Sequence, residues 1–263
     1  MRILSLALAL LLCGPAGAQF AVTTTIVPPP AGGVDWTENL IEDYRFDTPT
    51  CSGTGCNNEV VTAETNGNHG VFPAAMHGTS TVTASEFHPQ DGGSNSQYRA
   101  ILNDAAVYQA FNDGGATACV VVRGPDGTLP QTAMGFARSS SDDGFARIFY
   151  DAGAGNDVSF TIENDDDAAV TIALDTDTIT DGNQHCVCMA SSAFGGTMTL
   201  YYDGTTTTGT TPIAPLTADQ ASIGNLQRTG GIQVIAGFID AAAIWSVGIS
   251  TAQMDAFCAT EGL

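Results

Sequence analysis

Short alternating runs, broken by Gly, Asp and Asn at intervals of about ten residues, constrain this chain more than any other feature. "ACVVVRG" (118–124), "FARIFYD" (145–151), "VSFTIEN" (158–164), "AVTIALD" (169–175), "HCVCMAS" (185–191), "MTLYYDG" (198–204) and "IQVIAGFIDAAAIW" (232–245) read as strands. Asp203-Gly204 signals a tight hairpin turn. The pattern is that of an all-β sandwich or barrel, and two antiparallel sheets packed face to face are expected. Alternation directs Val121, Ile148, Phe160, Ile172, Val187 and Ile239 into the core. Residues 66–97 are rich in Gly, Asn, Ser and Pro and read as loop with short strands. One short C-terminal helix is expected. Ser250 caps it, Gln253 completes a capping box, and Ala252, Ala256 and Ala259 favour it. Met254, Phe257 and Cys258 give it an apolar face, and Gly262 stops it.

The first eighteen residues stand apart. Arg2, the apolar "ILSLALALLLC" and the small-residue "GPAGA" form a signal-peptide pattern, with cleavage expected after Ala18 and a mature chain starting at Gln19. The apolar run is shorter than the span of about 20 residues that a membrane helix needs. Cys13 follows Leu12 rather than a small residue, which argues against lipid attachment. Residues 19–38 contain three consecutive prolines and read as an extended linker. Residues 39–263 read as one domain. The product is expected to be secreted, extracellular or periplasmic, without membrane insertion.

Charge narrows the partners. All seven basic residues are Arg, against 28 acids; without Arg2 the net charge is −22. Such a surface repels nucleic acid and anionic membranes, and it can attract calcium. Six cysteines follow the signal peptide: Cys51, Cys56, Cys119, Cys186, Cys188 and Cys258. An even number in a secreted chain implies disulfides, and six allow fifteen pairings. Zinc is disfavoured, because neither CxxC pairs nor a closely spaced His pair occurs.

The ending "GFIDAAAIWSVGISTAQM" resembles the closing segment of laminin-G-like and pentraxin-like jelly rolls, with Gly237, Ile239, Asp240, Trp245, Ile249, Ser250 and Met254 in matching places. Gln253 stands where Glu is usual. "HCVCMASSAFGGTMTLYYDG" and "ATACVVVRG" are similar to the two cysteine-bearing strands of pentraxins, and a weaker likeness reaches back to "NLIEDYRFD". The resemblance covers about residues 40–259. It implies a jelly-roll domain of the concanavalin A-like lectin and glucanase type. It also implies pairing of Cys119 with Cys188. Cys51 and Cys56, around "SGTG", would then close a local loop, leaving Cys186 for Cys258 on the face over which the terminal helix docks.

Catalytic chemistry is weakly marked. Jelly-roll glycosidases place two carboxylates on one strand face, and no Glu-x-Asp-x-Glu type motif is present. Glu163 runs into the turn "NDDD", Glu86 and Asp91 do not share a strand face, and no Gly-x-Ser-x-Gly elbow occurs. Calcium has more support. Asp157, Asn164, Asp165, Asp166 and Asp167 cluster in sequence near Asp142, Asp143 and Asp151, and Asp157, Asp165 and Asp167 are the candidate ligands. The acidic calcium-binding run of pentraxins corresponds to Leu226, Gln227 and Arg228, where the acids are lost. For sugar contact, Trp245 reads as core and Trp36 as an anchor for the first strand. Tyr201 and Tyr202 point to opposite faces, one of them exposed. His69, His77, His88 and Tyr98 fall in the loop region. The expected function is a secreted, non-catalytic recognition or adhesion module that binds extracellular carbohydrate or protein. The alternatives are a self-assembling surface protein and a polysaccharide-active enzyme.

Overall fold

The computed structural model describes residues 33–46, 100–102, 104–124, 131–151, 157–176, 179–226, 228 and 234–263. Five short strands between 51 and 88, and positions 151 and 157, are described by backbone alone. The strands are β1 (Leu40–Arg45), β2 (Cys51–Ser52), β3 (Val60–Val61), β4 (Gly70–Val71), β5 (Thr81–Val82), β6 (Phe87–His88), β7 (Ala100–Leu102), β8 (Ala116–Arg123) and β9 (Gln131–Ala137). They continue as β10 (Phe145–Asp151), β11 (Asp157–Glu163), β12 (Ala169–Asp175), β13 (Gln184–Ser191), β14 (Thr197–Tyr202), β15 (Thr205–Thr210), β16 (Gln220–Ile223) and β17 (Phe238–Trp245). The helices are α1 (Ala105–Tyr108) and α2 (Thr251–Thr260). The first sheet runs β15-β14-β13-β8-β17-β6-β5-β2, with β1 also paired to β17; the second runs β12-β11-β10-β9-β16-β7-β4-β3. All these ladders are antiparallel, as in a jelly-roll sandwich.

The sheets share a core in which Val120, Val187 and Ile244 of the first join Met134, Ile148 and Phe160 of the second. Ile239 belongs to it as well, while Ile172, on the edge strand β12, is only partly buried against it. Val121 differs from expectation. It alternates with Val120 and Val122, so it faces away from the second sheet and joins an outer apolar cluster with Trp245, Phe257 and Cys258. That cluster lies beneath α2. The first sheet is therefore covered on both faces, and β17 is buried from Ile239 to Trp245 without polar alternation.

The expected strand over 232–245 starts later, at Phe238. A register shift between Ile239 and Ala241 lets both Ile239 and Ala242 face the shared core. β9 carried no alternation because all seven of its residues are buried. At Gly135 an added Cβ would come 2.6 Å from Leu226 Cδ1, so glycine lets the Leu226 side chain lie against this strand without shifting. The one-turn α1 was not expected; the Asp104 side chain caps it by accepting from Ala106 N at 2.8 Å.

Helix α2 has its capping box: Ser250 Oγ accepts from Gln253 N, and Gln253 Oε1 accepts from Ser250 N at 3.1 Å. Trp36 packs edge-on to Trp245 and Phe257, and Trp245 Nε1 donates to Trp36 O at 2.7 Å. Disulfides join Cys119 to Cys188, opposed residues of β8 and β13, and Cys186 to Cys258, which ties β13 to α2. The Cys51–Cys56 pairing lies outside the described residues.

Candidate functional site

The residues singled out in the sequence divide sharply by burial. Trp245 is fully buried, and Trp36 lies against it. Tyr201 and Tyr202 are both buried, contrary to the expectation that one would be exposed. Tyr202 faces the other sheet, while Tyr201 is covered by α2, where its hydroxyl donates to Asp255 Oδ1 at 2.8 Å. His69, His77 and Tyr98 fall outside the described residues, and of His88 only the backbone in β6 is described.

A polar cluster surrounds His185 of β13. Asp203 and Gly204 both have positive φ, giving the two-residue turn between β14 and β15. The turn brings Asp203 Oδ2 to 2.6 Å from His185 Nδ1, and Asp203 Oδ1 accepts from Cys186 N at 2.8 Å. Tyr202 Oη lies 2.8 Å from the same ring nitrogen, and Asp181 Oδ1 lies 3.1 Å from Nε2. Burial works against the imidazolium, but the hydrogen bonds and charges of Asp203 and Asp181 outweigh it and raise the His185 pKa. The ring is 4% exposed. It pins the hairpin to β13 and offers no surface to a ligand.

The second cluster is partly accessible: Arg147, Phe149, Glu163 and Arg228 are half-buried, Phe145 is buried and Asp167 is exposed. On β10, Phe145, Arg147 and Phe149 alternate onto the face turned away from the core, because Ala146, Ile148 and Tyr150 take the other face. The Arg147 guanidinium lies 4.1 Å from the Phe149 ring centroid and 5.0 Å from that of Phe145. Arg228, following the 224–226 turn, lies 4.8 Å from the Phe145 ring and donates from Nη1 to Asp142 O at 2.8 Å. Opposite Phe145 in the ladder stands Glu163, and opposite Arg147 stands Thr161. Ligand oxygens of Asp143, Glu163 and Asp167 all lie within 4.8 Å of one another.

The charges in this patch act on each other. Burial raises the Glu163 pKa, Arg228 and Arg147 lower it, and Asp167 and Asp143 raise it. Burial and the like charge of Arg228 push Arg147 down to about 10, with Glu163 opposing, so it stays a cation at neutral pH. Arg147, Glu163 and the half-buried ring of Phe149 thus share the outward face of the second sheet, and Arg228, Asp143 and Asp167 reach it from segments outside the strands.

The expected metal ligands do not converge as a set. Asp167, at φ 62°, reaches the acid cluster. Asp165 instead accepts from Thr217 N at 3.1 Å and Thr217 Oγ1 at 2.6 Å, fastening the turn to the 215–217 segment. Gly144, at φ +74°, lies under that carboxylate: an added Cβ would come 2.3 Å from Asp165 Oδ1. Asp157 starts β11, six residues before Glu163, which separates it from the turn by about 20 Å of strand. Its side chain is not among the described groups. The hard oxygens of Asp143, Glu163 and Asp167 suit calcium in kind, although the two guanidiniums already offset much of their charge.

A laminin G family model described as concanavalin A-like lectin/glucanases superfamily matches residues 91–254, more than half of the chain. The chain belongs to this superfamily. No curated protein matches it. Among solved structures, it resembles a leech intramolecular trans-sialidase complexed with 2,7-anhydro-Neu5Ac, with a TM-score of 0.54, 14% identity, and coverage of 65% of this chain and 27% of the enzyme. The binding domain of botulinum neurotoxin DC in complex with SialylT gives a TM-score of 0.56 at 11% identity, covering 85% of this chain and 51% of that one. The same toxin domain in complex with rat synaptotagmin II gives 0.56 at 12% identity, covering 86% and 52%. The chain therefore spans half or less of the enzyme and about half of the toxin chains. At these identities the likeness is one of superfamily fold.

Sequence reasoning missed Arg147, Phe149 and Arg228 as a group. The alternation in "FARIFYD" already placed Phe145, Arg147 and Phe149 on one face. No sequence signal joined Arg228 to them.

Proposed function

We propose that this protein is a secreted, non-catalytic recognition module that binds extracellular carbohydrate, using the outward face of the second sheet around Arg147, Phe149, Glu163 and Arg228. The observation that carries this reading is the grouping of guanidiniums, carboxylates and a half-buried aromatic ring at the outward side of the second sheet. A sugar ring has an apolar face that stacks on an aromatic side chain, and its hydroxyls both donate to carboxylates and accept from guanidiniums. The other aromatic candidates, Trp245, Tyr201 and Tyr202, are buried.

Secretion is supported by the signal-peptide pattern and by two disulfides, which persist in oxidising compartments. Among the described residues no helix is long and apolar enough to cross a membrane. The neighbouring toxin binding domain is seen in complex with SialylT and with rat synaptotagmin II, which keeps a protein ligand as the second reading. Calcium at Asp143, Glu163 and Asp167 is a further element of the proposal, carried by the closeness of their oxygens.

The test is a glycan screen of the mature chain, with calcium and with chelator, repeated on Phe149→Ala. Saturable glycan binding weakened by Phe149→Ala is expected. Binding to no glycan would overturn the reading. Polysaccharide turnover abolished by Glu163→Gln would replace it with an enzyme.

A further inference from the structure

The chain carries six arginines after the signal peptide and no lysine. Two of the six, from segments 81 positions apart in sequence, meet over the ring of Phe145. Placing like charges together has a cost that Glu163 offsets in part, since both guanidiniums lower its pKa, and that a ligand anion between them offsets further. The neighbouring acids limit which anion this can be. Asp143, Glu163 and Asp167 would repel a ligand that is anionic throughout. A ligand with one anionic group and several hydroxyls avoids that repulsion, because its hydroxyls donate to the carboxylates. Arg228 is held by its Nη1 bond to the Asp142 carbonyl, and its buried Nε has no protein partner. The planar guanidinium fork matches a carboxylate better than a spherical charge does.

Resting on the reading of this face as a glycan site, we infer that Arg228 and Arg147, flanked by Phe149, bind the carboxylate of an acidic sugar, while Asp143, Glu163 and Asp167 take its hydroxyls. Phe149 supplies the stacking surface on the β10 side. The recognised class is a uronic or sialic acid within a glycan, and neutral glycans bind more weakly.

The experiment compares the mature chain against matched pairs by calorimetry: polygalacturonate with its carboxyl-reduced polymer, sialyllactose with lactose, and dextran sulfate with dextran. Each is run in chelator and in calcium, for wild type, Arg228→Gln, Arg228→Lys and Arg138→Gln. Arg138 is exposed on the hairpin that carries Asp143, so it controls for general charge beside the patch. At least one carboxylated glycan is expected to bind about tenfold or more tighter than its neutral partner, with that preference lost in Arg228→Gln and kept in Arg138→Gln. Arg228→Lys retains the charge without the fork and should fall between them, which keeps the test valid if the Gln variant misfolds. Equal binding of acidic and neutral glycans, unchanged by either Arg228 variant, overturns this inference and leaves the glycan site standing. Sulfated dextran bound as tightly as any carboxylated glycan also overturns the carboxylate assignment. Binding to none of the six, together with an empty glycan screen, removes the underlying reading as well.

Discussion

His185 shows how a buried titratable residue can serve the fold rather than a ligand. Its folded-state pKa is raised above the unfolded value of about 6.5 by Asp203 and Asp181. The folded state therefore holds the proton more tightly. The resulting stabilisation is fully present below the unfolded pKa and is lost as pH rises through the folded one. Denaturant melts of wild type and His185→Gln across pH 5 to 9 should show a gap that narrows with rising pH. A gap that stays constant or widens would refute the assignment of the proton to this ring. The acid cluster is tested separately. Millimolar calcium should raise the melting temperature of the wild type by mass action and have less effect on Glu163→Gln. Equal shifts in both, or none, would leave those acids as a solvated turn. Single residues also mark where the sequence was hard to read. One of Tyr201 and Tyr202 was expected to be exposed, because alternation gives the face of a strand but not what covers that face. Arg228 was invisible as a site residue because its partners lie 81 and 65 positions earlier, at Arg147 and Glu163, and are joined only by folding.

Among the elements, α2 depends most on tertiary contacts. Its ten residues are below the length at which an isolated helix holds in water. Its capping box, its buried Met254 and Phe257, and the bond from Cys258 to Cys186 hold it on the first sheet. Replacing Cys186 and Cys258 by Ala should cost about 2–5 kcal/mol, since the bond closes a loop with a sequence separation of 72. Chemical denaturation measures this, and a cost below about 0.5 kcal/mol would contradict a stapling role. Phe257→Ala should cost about 3–5 kcal/mol and disturb Trp245 fluorescence, because the rings lie 5.6 Å apart. The helix was legible from Ser250, Gln253 and the spacing of Met254, Phe257 and Cys258, all local signals. The β10, β11, β13 and β14 strands were legible for the same reason. β9 was not, because burial of every residue removes the alternation that marks a half-buried strand. β17 was overextended at its start because the apolar run continues before Phe238, where Val234 makes an isolated bridge to Thr132 rather than a ladder. Which cysteines bond could not be read from spacing, since six cysteines allow fifteen pairings; the resemblance to pentraxin strands narrowed them.

At the scale of the whole molecule, the two faces of the sandwich have different tasks. The outward face of the first sheet is closed by α2, two disulfide-bonded cysteine pairs and the Trp36–Trp245–Phe257 group. The outward face of the second sheet carries the charged and aromatic patch. The all-β class and the superfamily were readable from strand spacing and from the closing segment around Asp240 and Trp245. The position of the patch was not, because it depends on folding that brings Leu226 onto β9 and Arg228 onto Phe145 of β10. Hydrogen–deuterium exchange of the mature chain with and without a bound glycan tests this division most directly. Added protection is expected on β10, on β11 near Glu163 and around Leu226 and Arg228, with α2 unchanged. Protection confined to α2 and the first sheet, with β10 unaffected, would contradict it.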